Sequence, residues 1–359
     1  MTIAFFARVV RELDLRGSTV ATFDYADANE TILGNRSVVL FDDRAANAPG
    51  ALERFRRRFA LAVCREPNDL DRTLEREKAD LVYILKTGTP DEWVSNTIPT
   101  AVHAVFPTWP NDAHGSAYAY VSRWLARIFT SGVAPWVPHI VRLPDTSADL
   151  RNELAIPKDA LVVGCHGGAE SFDIPIARRA VEQALARRRD LWFAFLGIRP
   201  FVDHERALFL PATADPVAKT EFINTCDAML HARYRGETFG LAVAEFSIRG
   251  RPVLTWGDST ERAHIEMLGD AALVYRSERG LLRRLLDLDR AWIAARDWDR
   301  YSHDYSAEPV MRRFADVFLE HRLDPARIRA ARFRLEDWSP GGLRRYFRLC
   351  RRKLKGKAP

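Results

Sequence analysis

Residues 226–256 read CDAMLHARYRGETFGLAVAEFSIRGRPVLTW, and this stretch says more about the fold than any other part of the 359-residue chain. The apolar run Ala228–Leu230 predicts a buried strand, the polar residues after it predict a turn, and Thr238–Gly240 predicts the opening of a helix. Gly236 and Gly240 allow the backbone to come close to a ligand. The free N–H groups of the first helical turn, reinforced by the helix dipole, therefore predict an anion site that suits a phosphate.

The same stretch contains a pair of glutamates. Glu237 lies just before the predicted helix and Glu245 lies eight residues later, which is about two turns deeper at 3.6 residues per turn. If both carboxylates face a bound phosphate compound, they contact the parts of the ligand on opposite sides of its phosphates.

Outside this stretch, short β-rich apolar runs alternate with amphipathic segments from the first residue to about residue 275. Such alternation is typical of parallel sheets covered by helices. The predicted strands are 2–6, 37–41, 61–64, 80–85, 101–106, 161–164, 191–196, 228–231, 252–256 and 272–275. After residue 275 we predict helix almost throughout, including a segment near 278–303.

A domain boundary is indicated at 135–145, PWVPHIVRLPD, where three prolines hold the chain extended. We predict an N-terminal Rossmann-like domain at 1–138, a C-terminal Rossmann-like domain at 139–335 and a basic helix at 336–359. Two consecutive α/β halves imply a cleft between them, and ligands in such sheets bind beyond the carboxyl ends of the strands.

The run ETFGLAVAE at 237–245, followed by RGRPVLT at 249–255, closely resembles the donor-binding motif of retaining GT-B glycosyltransferases, particularly the family 4 type. The resemblance implies an α/β fold of the GT-B type, with two Rossmann-like domains whose parallel sheets face a cleft and with C-terminal helices that cross back. It also implies that the N-terminal domain lies on the acceptor side and that the C-terminal domain binds the nucleotide-sugar donor.

The resemblance assigns roles to residues of the motif. It implies that Glu237 is catalytic and contacts donor-sugar hydroxyls near the reacting centre, and that Glu245 holds the nucleotide ribose. It also implies that main-chain N–H groups at the start of the helix bind the diphosphate. The donor-binding residues in that turn are Thr238, Phe239, Gly240 and Leu241.

A second donor-side loop reads GCHGGAESFD at 164–173. Gly167 and Gly168 allow the close backbone approach that a phosphate requires. The family usually has an arginine and a lysine here, whereas this chain has His166 and Ser171. We keep His166 as a donor-binding residue and expect other cations to meet the diphosphate charge. The candidates for this role are Arg199, Arg233 and Arg235.

In the first half, four residues that follow predicted strands are candidates for the acceptor side. Gly17 resembles the Gly-rich turn that follows the first strand of GT-B enzymes, and Lys86 is either a solvated loop residue or a group that meets an anionic ligand. His103 and His114 are candidates for the histidine that the family often places near the donor sugar. We favour His103, and expect it to act with Glu237, because a neutral imidazole can donate to a hydroxyl or to the leaving phosphate.

The charge of the chain is concentrated at one end. The formal net charge is +6, and residues 344–359 hold eight basic and no acidic residues, so residues 1–343 carry −2. A broad basic face for nucleic acid is therefore not expected. The apolar positions in 343–357 have helical spacing, which suits either peripheral contact with an anionic bilayer or packing on the N-terminal domain.

No metal and no organic cofactor are predicted. The four cysteines lie far apart without C-x-x-C spacing, and no histidine, cysteine and carboxylate cluster has metal-ligand spacing. Asp297-Trp298-Asp299 matches the metal-binding Asp-x-Asp of GT-A glycosyltransferases, but it falls in the late helical segment. We interpret it as part of a surface helix.

The sequence thus predicts a metal-independent, retaining glycosyltransferase, hexosyltransferase-like within EC 2.4. It would move a sugar from a UDP-sugar or a GDP-sugar to a hydroxyl of a saccharide, lipid or other acceptor. Two alternatives stay open: a GT-B-fold sugar-nucleotide epimerase, and a membrane- or nucleic-acid-binding module acting through the basic tail. Because no stretch reaches the roughly 18 apolar residues of a spanning helix and the start lacks a cleavage pattern, we expect a cytoplasmic protein, free or peripheral at the inner membrane face.

Overall fold

The structure is a computed structural model that describes residues 1–331 and Phe347. It divides into two compact units, Met1–Ile140 with the segment from Asp304 onward, and Val141–His303. Each unit is built on a six-stranded sheet in which all neighbouring strands are parallel. The predicted α/β class with two Rossmann-like domains is therefore confirmed. The predicted basic helix and its membrane contact lie outside the described residues, apart from Phe347.

The first unit begins with six strands and four helices. The five residues Ile3–Ala7 are all buried, as is every residue of the strand that ends at Lys86. Such continuous burial is typical of the central strands of a parallel sheet, which helices cover on both faces. The elements, in chain order, are β1 (Thr2–Arg8), α1 (Gly17–Thr31), β2 (Arg36–Phe41), α2 (Pro49–Arg58), β3 (Ala60–Val63), α3 (Leu70–Arg76), β4 (Leu81–Lys86), β5 (Thr100–Ala104), β6 (Ala117–Tyr120) and α4 (Arg123–Thr130).

The strand order in this unit is β3-β2-β1-β4-β5-β6. The chain runs outward from β1 to β3 and then returns to the other side of β1 with β4, so the direction of winding reverses between β1 and β4. At this point Arg8, the last residue of β1, is in register with Lys86, the last residue of β4. Open α/β sheets bind ligands outside the carboxyl ends of their strands at such a switch point.

The second unit repeats the pattern with the order β14-β12-β10-β7-β8-β9 and an additional two-stranded pair, β11-β13. Its switch point lies between β7 and β10. The elements are β7 (Leu161–His166), α5 (Pro175–Arg187), β8 (Leu191–Leu196), β9 (Ala207–Leu210), α6 (Pro216–Thr225), β10 (Ala228–His231), β11 (Gly236–Glu237), α7 (Leu241–Ile248), β12 (Val253–Trp256), β13 (Glu261–Arg262), α8 (Ala263–Leu268), β14 (Ala272–Tyr275), α9 (Glu278–Asp287), α10 (Arg290–Ala294) and α11 (Ser302–Tyr305), which ends as the chain passes to the first unit.

After α11 the chain returns to the first unit through α12 (Ala307–Phe314), a π-helical turn (Ala315–Glu320) and α13 (Pro325–Arg329). Phe314 and Phe318 are fully buried, and their ring centroids lie 5.2 and 5.5 Å from that of Tyr83. The predicted second domain, 139–335, thus includes a segment that belongs to the first unit, because these aromatic side chains complete its core. In residues 1–331, no helix is long and apolar enough to cross a bilayer.

His103 lies inside this aromatic core. Its side chain has no exposed surface, its Nδ1 is 2.5 Å from the Tyr83 hydroxyl, and its ring is 5.5 Å from that of Phe318. Burial lowers the pKa of His103 to about 3, so the ring is neutral. The enclosed ring cannot touch a ligand in this structure, and this corrects the preference for His103 as a catalytic group.

The buried His103 predicts that the protein loses stability on mild acidification. The unfolded chain protonates this ring near pH 6.5, whereas the folded chain does so only near pH 3, so the free energy of unfolding falls as the pH drops between these values. From pH 7 to pH 5 this single ring accounts for about 2 kcal/mol. We expect His103→Gln to reduce the drop in melting temperature between pH 7 and pH 5.

The matched control is His321→Gln, because the His321 side chain is 77% exposed. This variant should keep the pH dependence of the wild type. If His103→Gln kept it as well, the neutral, enclosed state of His103 would be disproved.

Candidate functional site

The carboxyl edge of the second sheet brings the predicted donor-side residues together. His166 is the last residue of β7 and His231 is the last residue of β10, and these two strands flank the switch point. Gly167 and Gly168 directly follow β7, and Glu237 follows β10. The edge that is expected to bind a ligand on topological grounds is therefore the edge that carries the motif.

Glu245 is almost fully buried at this edge, with 3% of its surface exposed. It is held by Lys219 of α6, whose ammonium forms an ion pair with Oε1, and by His166, whose Nε2 is 2.9 Å from Oε2. Burial by itself raises the pKa of Glu245, but Lys219 and His166 outweigh it and lower the pKa to about 2. Glu245 is therefore a carboxylate anion at neutral pH.

Although they are close, His166 Nε2 and Glu245 Oε2 do not meet in hydrogen-bond geometry. Both are buried atoms that lack a hydrogen-bond partner within residues 1–331. Buried polar atoms in native proteins nearly always have a partner. The two atoms lie 2.9 Å apart with almost no exposed surface, so this close contact positions the Glu245 carboxylate.

Lys219 is a functional candidate that the sequence interpretation missed. It lies 26 residues before Glu245 in the middle of a helix, with no motif around it. The family expectation of a lysine near Gly167 and Gly168 was a hint, but it directed attention to position 171. The structure places a lysine of α6 beside Glu245.

Glu237 lies in β11 and keeps about a fifth of its side chain exposed. Nη1 of Arg233 is 2.9 and 3.0 Å from its two oxygens, and Nε2 of His231 is 3.3 Å from Oε1. Burial raises the pKa of Glu237, but Arg233 and then His231 outweigh burial and lower it well below its ordinary value. Glu237 is thus an ionised carboxylate that Arg233 and His231 hold in place, and part of its side chain is exposed to solvent.

A row of buried polar groups continues behind Glu237. Nδ1 of His231 is 2.9 Å from the Thr255 hydroxyl oxygen, and that oxygen is 3.0 Å from Nε2 of His264. All three side chains are buried. Sequence spacing contains no signal for this row, since its members come from β10, β12 and α8. It holds His231 in the orientation that meets Glu237.

Two glycines make the turn before α7 possible. Gly236 has a φ of +76° and a Cβ there would overlap the carbonyl oxygen of Glu261, and Gly240 has a φ of +93°. Thr238 and Phe239 are buried, and the Phe239 ring lies 6.2 Å from that of Tyr301. The Phe239 side chain therefore anchors the turn in the core. The helix begins at Leu241, just after the opening predicted at 238–240.

The arginines proposed to replace the missing cations lie at different places. Arg233 is beside Glu237, as described above. Arg235 donates from Nε to buried Glu261 over 2.6 Å, and exposed Arg199 pairs with Glu170 over 2.6 Å. Arg233 is thus the candidate that pairs with a glutamate of the motif.

The first-unit candidates lie at the carboxyl edge of the other sheet. Lys86 is not a solvated loop residue, because it ends β4 and its side chain has no exposed surface. His114 lies 3.1 Å from the Lys86 ammonium through Nε2. Gly17 is the exposed first residue of α1.

The Asp297-Trp298-Asp299 segment is not helical, so its interpretation as part of a surface helix was wrong. Trp298 is buried and its indole donates to the Ile293 carbonyl over 2.8 Å. Asp299 accepts from the backbone N–H of Tyr301 and Ser302. The predicted helix 278–303 is instead two separate helices, α9 ending at Asp287 and α10 ending at Ala294. Residues 1–331 contain no group of three or more histidines, cysteines or carboxylates that could hold a metal ion.

No protein-family model matches the chain, and no curated protein sequence matches it. Solved structures do resemble it. HepE of Anabaena in complex with UDP and glucose has a TM-score of 0.62 at 14% identity, over 88% of this chain and 98% of its own. The glycosyltransferase WaaG of lipopolysaccharide biosynthesis has a TM-score of 0.61 at 13% identity, over 88% of this chain and 99% of its own. A protein of Listeria monocytogenes that is designated a UDP-N-acetylglucosamine 2-epimerase has a TM-score of 0.59 at 13% identity, over 88% of this chain and 96% of its own.

These likenesses extend over both units, and at such identities they define the fold. The chain has the GT-B fold, with two Rossmann-like domains and C-terminal helices that return to the first domain. The predicted fold class is confirmed. The roles of individual residues stay predictions.

The ion pair at Glu245 predicts a large loss of stability on removal of its cation. Lys219→Met leaves a buried carboxylate without its main partner, which typically costs about 3 kcal/mol or more. We expect urea unfolding to show this loss for Lys219→Met and a smaller one for the double variant Lys219→Met/Glu245→Gln, in which no uncompensated charge remains.

The control is Lys158→Met, which removes an exposed lysine of the same unit. It should change the free energy of unfolding by less than about 0.5 kcal/mol. A Lys219→Met variant as stable as Lys158→Met would contradict the assigned ion pair.

Proposed function

We propose that this protein is a glycosyltransferase that moves a sugar from a nucleotide-sugar donor to a hydroxyl acceptor. The observation that carries the proposal is the pair of ionised glutamates, Glu237 and Glu245, at the switch point of the second sheet on a Glu-x7-Glu motif. Two of the similar structures described above, HepE with bound UDP and glucose and the glycosyltransferase WaaG, support it. UDP-sugars are therefore the first donors to test, and GDP-sugars the second.

In this proposal the second unit binds the donor. The resemblance to GT-B enzymes implies that Glu245 lies at the nucleotide ribose, and His166 lies beside it. Lys219 and the N–H groups at the start of α7 face the diphosphate, which needs cations and helix dipoles to balance its charge. Lys219 thus takes the place of the cations that the loop 164–173 lacks.

The chemistry requires charge stabilisation at the leaving group. Negative charge grows on the diphosphate as the glycosidic bond breaks, and fixed donors and cations at that position lower the barrier. Glu237 is ionised, so it accepts hydrogen bonds from the sugar hydroxyls and is unsuited to donate a proton as a general acid. The acceptor hydroxyl attacks from the face that the diphosphate leaves and gives its proton to the departing diphosphate oxygen, which retains the anomeric configuration and needs no enzymic nucleophile.

The two glutamates should differ in their kinetic effects. We expect Glu237→Gln to lower kcat by about 100-fold with little change in UDP affinity, because it loses contacts to the sugar. Glu245→Gln should weaken UDP binding about tenfold, the usual effect of losing one charged hydrogen bond. Thermal-shift titration with UDP and UDP-sugars measures the binding, and product formation measures the rate.

Glu182→Gln, at an exposed carboxylate of α5, serves as the control and should match the wild type in both assays. Wild-type turnover by Glu237→Gln would remove Glu237 from the reaction. Absence of any thermal shift with UDP-, GDP- and ADP-linked sugars would overturn the donor assignment.

Retention and metal independence form a separate test. We expect transfer to continue in excess EDTA, because Lys219 and the start of α7 supply the positive charge that a divalent ion supplies elsewhere. The proton NMR coupling at the anomeric centre of the product should equal that of the donor. Loss of activity in EDTA with rescue by Mg²⁺ or Mn²⁺, or an inverted product, would contradict this part of the proposal.

A second candidate function is a sugar-nucleotide epimerase, which the likeness to the Listeria structure favours. The histidines around Glu237 offer the acid and base groups that such a reaction needs. Incubation with a single nucleotide sugar and no acceptor separates the two. An isomerised nucleotide sugar would favour the epimerase. A nucleotide sugar that stays unchanged alone and is consumed only when an acceptor is added would favour the transferase.

The acceptor is proposed to be a saccharide, lipid or other hydroxyl compound, bound by the first unit. A cytoplasmic location, with peripheral membrane contact through residues 343–357, remains part of the proposal. A vesicle co-sedimentation assay of the full chain, compared with a chain ending at residue 342, tests that contact. The alternative of a nucleic-acid-binding module finds no additional support in the described residues.

A further inference from the structure

The carboxyl edge of the first sheet contains a second pair of charged strand ends. Arg8 ends β1 and Lys86 ends β4, and the two residues are register partners on adjacent strands. They lie at the switch point of this sheet, which is where doubly wound folds bind ligands. Two basic side chains thus extend side by side from the expected ligand-binding edge.

Within residues 1–331, the guanidinium of Arg8 has no ion-pair partner. Its central carbon lies over the Trp93 ring, 4.3 Å from the ring centroid, which is a cation–π contact. Nε and Nη1 are buried and without a hydrogen-bond partner in the described part of the chain. Burial lowers the pKa of Arg8, and Asp91 and Asp42 offset this only in part. Leaving charged donors buried and unpaired costs stability.

The carboxylates nearest to Arg8 are already paired with other cations. Asp91 forms an ion pair with the ammonium of Lys86. Asp42 is 2.6 Å from Nε of Arg11 and 3.5 Å from Nε of Arg44.

His114, which lies at the same edge, does not neutralise Arg8 either. Nε2 of His114 is 3.1 Å from the Lys86 ammonium, and Nδ1 is 2.6 Å from the Asp112 carbonyl oxygen. Burial lowers the pKa of His114, so the ring is neutral and accepts from Lys86. As far as the structure describes the chain, the positive charge of Arg8 is the part of this edge that is not balanced.

We propose that the carboxyl edge of the first sheet binds an anionic group, a carboxylate or a phosphate, through the guanidinium of Arg8 with the ammonium of Lys86 beside it. A guanidinium presents its N–H donors in a planar fork that fits both groups. Lys86 has no exposed surface and is paired with Asp91, so Arg8 is the group that meets the ligand. Provided the proposed function holds, the anionic group is carried by the acceptor, which is thus an acidic sugar or a phosphorylated hydroxyl compound.

Arg8→Met separates a binding role from a purely structural role, because methionine keeps an apolar stem on Trp93 and removes the charge. The full chain is melted in low-salt Tris buffer with increasing inorganic phosphate, and in a parallel series with acetate. We expect the wild-type melting temperature to rise, and Arg8→Met to need at least about tenfold more of the same anion for an equal rise. Without added anion, Arg8→Met should melt no lower than the wild type.

Two variants control this experiment. Arg11→Met removes a half-exposed arginine from the same edge and should keep the anion response. Lys219→Met removes one cation of the second unit and should keep the part of the anion response that Arg8→Met removes. If Arg8→Met melted lower than the wild type and kept the full anion response, Arg8 would be structural. If neither anion stabilised the wild type, the site would not exist.

A second measurement distinguishes a failure of this inference from a failure of the proposed function. Transfer is compared between a neutral sugar acceptor and its uronate or phosphate counterpart. We expect Arg8→Met to lower the ratio of kcat/KM for the anionic over the neutral acceptor by at least about tenfold, the usual effect of losing one charged hydrogen bond. If anion binding depended on Arg8 but no sugar were transferred, the anion site would be supported and the proposed function would be contradicted. If sugar were transferred with an unchanged acceptor ratio, the function would be supported and the anionic acceptor would be contradicted.

Discussion

Helices cover both faces of each parallel sheet, and this burial keeps charged groups out of the interior of the strands, so the charged residues of the central strands lie at the strand ends. Charges within the apolar strands would be uncompensated, which is prohibitively costly. The two central strands of each sheet end in a basic residue: Arg8 and Lys86 in the first unit, and His166 and His231 in the second. Each sheet reverses its winding between those same two strands. The chemistry of both units is therefore concentrated at their switch points.

The two edges differ in their charge balance, and the difference suggests what each binds. In the second unit, Glu245 and Glu237 are ionised because Lys219, His166, Arg233 and His231 surround them. These carboxylates are hydrogen-bond acceptors, and in the proposed function they meet hydroxyl groups of the donor. In the first unit, Lys86 is balanced by Asp91, whereas Arg8 pairs with no carboxylate of residues 1–331. That edge has positive charge available for an anion.

Much of the fold could be predicted because its signals are local. The strand, turn and helix around Glu237 are encoded within a single short stretch, and the central strands are continuous apolar runs. The strands β6 and β9 were missed, although β3 and β14, which also have four residues and lie at sheet edges, were predicted. The helix predicted over 278–303 breaks first after Asp287, where the Asp289 side chain accepts from the Trp292 N–H and begins a new helix at Arg290.

By itself the sequence determined the α/β class, the two Rossmann-like halves and the placement of Glu237 and Glu245 around a helix start, since these depend on apolar periodicity and on glycine positions within short segments. Only the tertiary structure decided which distant side chains meet. Lys219 reaches Glu245 across 26 residues, and His103 is enclosed by Phe318 from the returning segment. The physical reason is that burial and charge pairing depend on neighbours in space. The sequence around a strand residue does not show whether a distant segment will later cover its side chain.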